Sequence, residues 1–178
     1  MDLSPEAKRA FQLQSYTAVP AIDGVEVVDL KRFHDDGGNF TELIRLGDGR
    51  AEAFRDFTVR QVNYSEVEPG AIKAFHLHLR QTDVWFVPPG DRMLVVLVDV
   101  RKGSRTEGTK LRLMLGDGAA RMLRIPPGVA HGVRNLATAT GRVVYFTDVH
   151  FSPEPAACDE GRLPWDYAGR EIWEVVRG

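Results

Sequence analysis

Three histidines are the residues of this 178-residue chain whose types and spacing best suit chemistry. His76 and His78 are separated by one residue in a β-type stretch, and His131 follows in the segment Ile-Pro-Pro-Gly-Val-Ala-His131-Gly. Side chains at positions i and i+2 of a strand point to the same face, so His76 and His78 can reach one site together. Imidazole exchanges protons near neutral pH and also binds transition metals. The pattern therefore leaves proton transfer and metal binding open.

The segments around these histidines belong to a series of short β-type runs. Turn sequences such as Pro-Pro-Gly-Asp at 88–91 and Gly-Asp-Gly at 116–118 separate the runs, and no long helical period interrupts them. This spacing predicts an all-β sandwich or barrel of jelly-roll type. The predicted strands cover residues 25–30, 41–45, 57–64, 71–79, 84–87, 93–100, 110–115, 122–125 and 143–150.

The two ends of the chain are expected to lie outside this β core. Ser4 followed by Pro5 and Glu6 reads as an N-cap with Pro at the first helical position, which predicts a short peripheral helix ending near Leu13. We expect a single domain over 1–178, because this length can bury a core of its own. Within it we expect an N-terminal helix and arm at 1–24, a β core at 25–150, and a C-terminal loop and tail at 151–178. The stretch 165–176 could be a short helix or a closing strand.

Composition argues against several classes of partner. The 23 basic and 25 acidic residues are scattered, with a formal net charge of -2 and no basic run, so we expect no nucleic-acid partner. No stretch approaches the roughly 20 apolar residues that span a bilayer, and the N-terminus does not resemble a signal peptide, so we expect no membrane partner. The single cysteine, Cys158, reads as an ordinary loop residue, which favours a reducing compartment. The expected location is the cytoplasm.

Two spaced motifs resemble the cupin signatures. The first consists of Gly70, His76, His78, Asp83 and Gly90, with Asp83 where Glu is usual, and the second of Pro126-Pro-Gly128, His131 and Asn135, with Ala120 in the place of its leading Gly. This resemblance implies a double-stranded β-helix. In metal-dependent cupins the matching positions, here His76, His78, Asp83 and His131, hold a divalent transition metal such as iron, manganese, nickel or zinc. The same fold also occurs without a metal.

A longer resemblance extends from about residue 25 to residue 166. Its matching stretches keep their order and spacing, and they are residues 39–42, 61–65, 73–76, 98–108, 125–132, Tyr145 and 151–154. Together they resemble the dTDP-4-dehydrorhamnose 3,5-epimerase family, a cupin-fold group of isomerases in deoxysugar biosynthesis that works without a metal. Carried over by position, His76 is the base and Tyr145 the acid. They would remove and return protons next to the ketone of a dTDP-linked 4-keto-6-deoxyhexose.

The resemblance also implies a set of substrate-binding residues. His131 would lie beside the sugar or its phosphates, and the ring of Trp85 could stack on the sugar. The side chains implied to hold the nucleotide are Gln61, Asn63 and Lys73. The side chains implied to reach the nucleotide of a neighbouring subunit, in a homodimer, are Phe40 and Glu42.

Three features of the chain set conditions on this interpretation. Trp85 stands where the family has its enolate-stabilising lysine, nine residues past the catalytic histidine, so a neutral ring replaces a cation. The family's aspartate that orients this histidine lies in a C-terminal extension that the chain is expected to lack, so another carboxylate must set the tautomer of His76. Lys73 and His76 have opposite parity, so both can face one pocket only if the strand bulges or ends near Lys73.

Three hypotheses for function remain at this point. The first is a cofactor-free, epimerase-like enzyme that uses His76 and Tyr145. The second is a metal-dependent cupin, an oxygenase or isomerase, with His76, His78, Asp83 and His131 as ligands. The third is a non-catalytic sugar-nucleotide binder. The first two require the three histidines to converge.

Overall fold

The structure, a computed structural model, describes residues 1–13, 20–54 and 56–176. Within these residues no helix is both long and apolar enough to cross a membrane. The elements in chain order are α1 (Pro5–Ala10), β1 (Glu26–Asp29), β2 (Arg32–Asp35), β3 (Gly38–Thr41), β4 (Leu46–Gly47), β5 (Arg50–Ala51), β6 (Gln61–Val67), β7 (Ile72–Leu77), β8 (Asp83–Phe86), β9 (Arg92–Asp99), β10 (Lys110–Gly116), β11 (Arg121–Ile125), β12 (Val129–Asn135), β13 (Gly141–Thr147), β14 (Gly161–Arg162) and a 3-10 helix (Arg170–Trp173).

Two five-stranded antiparallel sheets form the body of the fold. Sheet one has the strand order β1-β11-β8-β13-β6, and sheet two has the order β10-β9-β12-β7-β14. From β6 to β9, and again from β11 to β14, successive strands alternate between the two sheets. This alternation is typical of a jelly roll. The prediction of an all-β, cupin-type double-stranded β-helix with short peripheral helices is confirmed.

The core has three layers because both sheets are covered on both faces. Side chains of the two sheets, such as Leu97 of β9 and Leu123 of β11, belong to one buried cluster that forms the central layer. The outer face of sheet one is covered by the segment around Phe54 and Phe57. The outer face of sheet two is covered by the C-terminal segment, in which Trp173 is fully buried. Strand β9 is therefore apolar on both faces.

Several predicted element boundaries need correction. The helix is capped by Ser4, whose hydroxyl accepts a hydrogen bond from the amide of Ala7 at 3.2 Å, but it ends at Ala10. The strand predicted at 41–45 is wrong, because the chain there leaves the β2–β3 hairpin at Thr41. The sequence analysis missed β12 (Val129–Asn135), which carries His131. The stretch 165–176, left open between a helix and a strand, contains the 3-10 helix, and the short strand β14 lies before it.

Strand β7 has a bulge beside β12. His131 of β12 pairs with His76 of β7, and the next pair is Val133 with Lys73. Between these two pairs β7 advances by three residues and β12 by only two. The extra residue restores Lys73 and His76 to one side of the strand, and both line the same cavity. The backbones approach closely here, since a Cβ at Gly132 would lie 2.3 Å from a side-chain atom of β7. The condition under which Lys73 and His76 can face one pocket, a bulge near Lys73, is therefore met.

Candidate functional site

A cavity of about 630 Å³ opens between the two sheets. Its volume is in the range of pockets that hold small organic ligands. Strands β6, β8 and β13 of sheet one and strands β7, β12 and β14 of sheet two contribute to its wall. The lining side chains that carry polar groups are Ser65, Lys73, His76, His78, Gln81, Asp83, Trp85, His131, Tyr145, Glu160 and Arg162.

Both ring nitrogens of His76 have partners. Nδ1 lies 2.6 Å from a carboxylate oxygen of Glu160, and Nε2 lies 3.0 Å from a guanidinium nitrogen of Arg162. A guanidinium can only donate, so Nε2 is the acceptor and Nδ1 carries the proton that is donated to Glu160. Burial lowers the pKa of His76 below its ordinary 6.5 and the charge of Arg162 lowers it too, although the hydrogen bond with Glu160 opposes these effects. The ring is therefore a neutral base near pH 7.

Glu160 is the carboxylate that the sequence analysis required but did not find. It precedes β14, in which Arg162 is the Cα partner of His76 on β7. The neighbouring Asp159 accepts hydrogen bonds from the backbone amides of residues 79–81 at 2.8–3.2 Å. Burial raises the pKa of Asp159, but these amides outweigh that effect and hold it below its usual value. The carboxylate of Asp159 therefore fastens the tail to the β7–β8 loop.

Tyr145 faces the cavity from sheet one, opposite the sheet that carries His76. Burial raises the pKa of the Tyr145 hydroxyl, and the negative charges of Asp83 and Glu160 raise it further. The hydroxyl therefore stays protonated at neutral pH and can serve as a proton donor. Its placement brings a neutral base and a protonated acid to opposite walls of one cavity.

A second group of side chains, His78, Asp83 and His131, lies beside His76. The Nδ1 atoms of His78 and His131 each lie within 2.9 Å of a backbone carbonyl oxygen, so both rings present their Nε2 atoms toward Asp83. Those Nε2 atoms are 3.9 and 3.4 Å from one carboxylate oxygen of Asp83. One donor atom from each residue lies within 4.8 Å of the others, a spacing that could hold a metal ion. The predicted fourth ligand, His76, is not part of this group.

Comparison with known proteins settles the family. The model of the family described as dTDP-4-dehydrorhamnose 3,5-epimerase matches residues 20–168. The chain belongs to this family. The spore coat polysaccharide biosynthesis protein SpsL of Bacillus subtilis is 41% identical to it over 145 residues, which cover 82% of this chain and 91% of SpsL.

Solved structures of family members share the fold. The dTDP-4-dehydrorhamnose 3,5-epimerase of Sulfolobus tokodaii superposes with a TM-score of 0.68 at 32% identity, covering 82% of this chain and 80% of that one. The epimerase RmlC of Legionella pneumophila, in complex with dTDP-4-keto-L-rhamnose, superposes with a TM-score of 0.65 at 28% identity. That match covers 76% of this chain and 72% of the Legionella chain.

Trp85 is the main departure from the family pattern inside the cavity. Its side chain is only 7% exposed, and its Nε1 donates to a carboxylate oxygen of Asp83 at 3.0 Å. Gln81 donates to the other oxygen at 2.7 Å. Burial raises the pKa of Asp83, but interactions with His131, His78 and Trp85 together outweigh it and the net shift is downward. Trp85, which stands at the position of the family's lysine, is therefore part of the cavity wall, and its Nε1 is already hydrogen-bonded to Asp83.

The three residues predicted to hold the nucleotide lie in two places. Lys73 lines the cavity, and its ammonium donates to the hydroxyl of Ser65 at 3.1 Å and to a backbone carbonyl of β6. Gln61 and Asn63 are neighbours on β6, joined by a hydrogen bond of 2.7 Å, and do not line the cavity. Gln61 accepts a hydrogen bond from the amide of Phe151, whose side chain does line it. The nucleotide-binding roles stay predictions.

Phe40 and Glu42, the residues implied to reach a neighbouring subunit, lie outside the cavity of their own chain. Phe40 is 64% exposed on the β2–β3 hairpin, where its ring centroid is 6.3 Å from that of Phe33. Glu42 forms an ion pair of 2.8 Å with Arg45. Their roles also stay predictions.

The sequence analysis missed Glu160 and Arg162, which contact the predicted base directly. The region 152–164 is rich in Pro, Gly and acidic residues and was expected to be a loop. One signal was present, since Glu160 and Arg162 are separated by one residue and would share a face of an extended segment. That signal alone does not say which strand the segment joins.

Proposed function

We propose that this protein is an epimerase-like isomerase that acts on a dTDP-linked 4-keto-6-deoxyhexose. The observation that carries the proposal is the cavity in which neutral His76, held by Glu160, faces protonated Tyr145 across the gap between the sheets. A base and an acid on opposite walls suit a reaction that takes a proton from one face of a sugar ring and returns one to the other. The names of the relatives agree with this class of substrate.

The reaction proceeds in two proton transfers. Nε2 of His76 removes a proton from the carbon next to the ketone, and the electrons of the C–H bond form an enolate while the ring becomes an imidazolium. The hydroxyl of Tyr145 then donates its proton to the opposite face of that carbon, so the ketone reforms and a tyrosinate remains. Exchange with solvent returns the proton to Tyr145 and removes it from His76.

Glu160 assists this cycle through His76. It accepts the Nδ1 proton, which keeps the Nε2 lone pair directed into the cavity, and its negative charge stabilises the imidazolium. Glu160 therefore takes the role of the family's distal aspartate from a different place in the chain. The hydrogen bond with His76 keeps the pKa of Glu160 below its ordinary value, so it is ionised throughout.

Solvent exchange tests the proposal. The protein is incubated with dTDP-4-keto-6-deoxyglucose in heavy water, and deuterium at the third and fifth sugar carbons is followed by NMR. His76→Asn should lower both exchange and inversion by about 10²–10⁴-fold. Tyr145→Phe should keep exchange on the His76 face while losing inversion. His34→Asn and Tyr167→Phe change exposed residues outside the cavity and serve as controls.

Wild-type protein without deuterium at either carbon would contradict the proposal. If that protein still bound dTDP, the non-catalytic binder would be the correct interpretation. If His76→Asn still exchanged deuterium, His76 would not be the base, although the protein would still be an epimerase-like isomerase.

The convergence of His78, Asp83 and His131 favours a second candidate, a metal-dependent cupin. These residues fit a divalent transition metal, because each imidazole directs its Nε2 inward while Nδ1 is bound to a carbonyl. A metal held there would supply Lewis-acid polarisation or an acidified water. We propose that the epimerase chemistry needs no cofactor, so proton exchange should survive chelation. Loss of exchange on chelation, with a melting temperature raised by added Mn²⁺, Ni²⁺ or Zn²⁺, would favour the metal enzyme instead.

We further infer that the active form is a cytoplasmic homodimer. Phe40 supports the dimer, since it is exposed next to Phe33 and does not line the cavity of its own chain. A second copy would bury this aromatic pair and bring it to the partner's nucleotide.

A further inference from the structure

An enolate intermediate places a demand on the cavity that His76 and Tyr145 do not meet. Negative charge develops on the ketone oxygen, and a positive group or strong donor aimed at that oxygen is usually the largest contribution to rate. Trp85, at the position of the family's lysine, carries no charge and its Nε1 is bound to Asp83. Among the described residues that line the cavity, those with a permanent positive charge are Lys73 and Arg162.

The two cations differ in where they sit relative to the base. The ammonium of Lys73 is turned toward β6, where it donates to Ser65 and to a backbone carbonyl. The guanidinium of Arg162 is at His76, with Nη1 3.0 Å from Nε2. Its Nη2 is 3.1 Å from the same carboxylate oxygen of Glu160 that binds Nδ1 of His76. Glu160 thus holds the base and a cation side by side.

We propose that Arg162 is the catalytic cation that stabilises the enolate oxygen, in place of the lysine that this chain lacks. The assignment rests on the proposed function. The geometry of the reaction favours Arg162. The ketone oxygen is only two bonds from the carbon that loses its proton, so the oxygen lies close to the base that attacks this carbon. A base that attacks this carbon lies about 3 Å from it. A donor 3.0 Å from Nε2 is therefore within reach of the oxygen.

Arg162 can move between the two acceptors. Nε2 must be free to take the proton, so Nη1 must leave it for the ketone oxygen of the substrate. The side chain of Arg162 is 58% exposed, which leaves room for this shift, and the contact of Nη2 with Glu160 keeps the guanidinium at the site. No covalent bond to Arg162 forms or breaks. The guanidinium neutralises charge on the oxygen while His76 and Tyr145 transfer the protons.

A guanidinium in a nucleotide-sugar site could instead bind the diphosphate. The two roles predict different kinetics, because an interaction with the diphosphate is equally strong in the ground and transition states. Loss of a diphosphate contact would raise KM and weaken dTDP binding. Loss of an enolate contact would lower kcat and leave dTDP binding unchanged.

The experiment compares wild type with Arg162→Ala, Arg162→Lys and the control Arg121→Ala, which removes an ion pair with Asp29 on the outside of the β1–β11 ladder. Deuterium entry into dTDP-4-keto-6-deoxyglucose gives kcat and KM, and calorimetry gives dTDP affinity. Arg162→Ala should lower kcat by about 10²–10³-fold with little change in KM. Arg162→Lys, or guanidinium ion added below denaturing concentrations, should restore part of the rate. Thermal unfolding confirms that each variant is folded.

The pH profile adds an independent readout. The charge of Arg162 disfavours protonation of His76, so the acid limb of the rate should move to higher pH in Arg162→Ala and stay in place in Arg162→Lys. Exchange within twofold of wild type in Arg162→Ala, or a loss confined to KM and dTDP affinity, would overturn this assignment alone. A wild-type protein that exchanges no deuterium would overturn the proposed function and this assignment with it.

Discussion

At the scale of single residues, the proposed chemistry depends on how the imidazole of His76 is held. Glu160 and Arg162 bind the two nitrogens of His76 and act on its charge in opposite directions. The carboxylate favours the protonated ring and the guanidinium the neutral ring. The first determines the tautomer, and the second keeps the base available near neutral pH.

Removing the carboxylate of Glu160 should slow the reaction through His76. In Glu160→Gln the imidazolium loses its partner, so we expect kcat to fall by about 10–10³-fold. The pKa of His76 should also drop, because the hydrogen bond with Glu160 raises it. The acid limb of the exchange rate should therefore move to lower pH, and Glu160→Asp should recover part of the rate. Glu154→Gln, an exposed change in the same segment, is the control. An unmoved acid limb would contradict the positioning role.

The wild-type rate should have a wide pH plateau. The proposed base, His76, can accept a proton only when it is neutral, and its pKa is lowered, so kcat/KM should rise through a pKa below 6.5. The groups that face His76 and contribute to this shift are Glu160, Arg162 and His131. The proposed acid, Tyr145, can donate a proton only when it is protonated, and its raised pKa should move the alkaline limb above pH 10. Loss of deuterium from labelled substrate in ordinary water measures both limbs. An acid limb above 6.5 would contradict the lowered pKa of His76.

At the scale of elements, the motif at residues 98–108 that resembles the family proves to be a structural turn. Asp99, fully buried at the end of β9, accepts hydrogen bonds from Arg101, Ser104 and Thr106. The hydrogen bond from Arg101 is the largest of the effects that hold the pKa of Asp99 well below its ordinary value. None of these four side chains lines the cavity, so the motif shapes the connection from β9 to β10.

The turn should contribute stability that depends on pH. The depressed pKa means that ionised Asp99 stabilises the fold above about pH 4, its unfolded-state value, and that this is lost as pH falls toward the folded-state value. Asp99→Asn should cost about 2–3 kcal/mol at pH 7, because a charged, hydrogen-bonded acceptor is removed from a buried network. Urea unfolding at pH 7 and pH 3 should show the difference shrinking in acid. Asp29→Asn, at an exposed ion pair, should change little.

Features that depend on the spacing of neighbouring residues could be predicted from the sequence. Features that depend on contacts between residues far apart in the chain could not. The spacing of His76 and His78, and the parity of Lys73, led to a shared face and a bulge that the structure contains. Strand β12 shows no alternation because it lies in the middle of sheet two and is buried nearly throughout. Glu160 is positioned by the hydrogen bonds that the neighbouring Asp159 accepts from the amides of residues 79–81. These contacts join residues far apart in the chain, so no local pattern predicts them.

At the scale of the whole molecule, the two-sheet architecture places the proposed base, His76, and the proposed acid, Tyr145, on different sheets. Any change in the packing between the sheets alters the gap between His76 and Tyr145. The central core layer therefore sets the width of the cavity as well as the stability of the fold. The proposed dimer would add the β2–β3 hairpin of a second copy to this arrangement.

The dimer can be tested at Phe40. Phe40→Ala should lower dTDP affinity by about tenfold without unfolding the chain, since the exposed ring lies outside its own cavity and would contact the partner's nucleotide. Sedimentation velocity reports the oligomeric state, and calorimetry reports the affinity. Tyr167→Ala, another exposed aromatic, is the matched control. A monomeric wild-type protein with full exchange activity would contradict the dimer.

The attachment of Asp159 to the β7–β8 loop has a practical consequence. Residues 153–157 are exposed, whereas the chain beyond them is held by Asp159, by β14 and by the buried Trp173. A cut within 153–157 would leave the barrel with its imidazoles and a short peptide with the carboxylate and guanidinium that act on them. The two parts should therefore stay associated after the cut, because β14 and the buried Trp173 hold the peptide to the barrel, and the nicked protein should keep its activity.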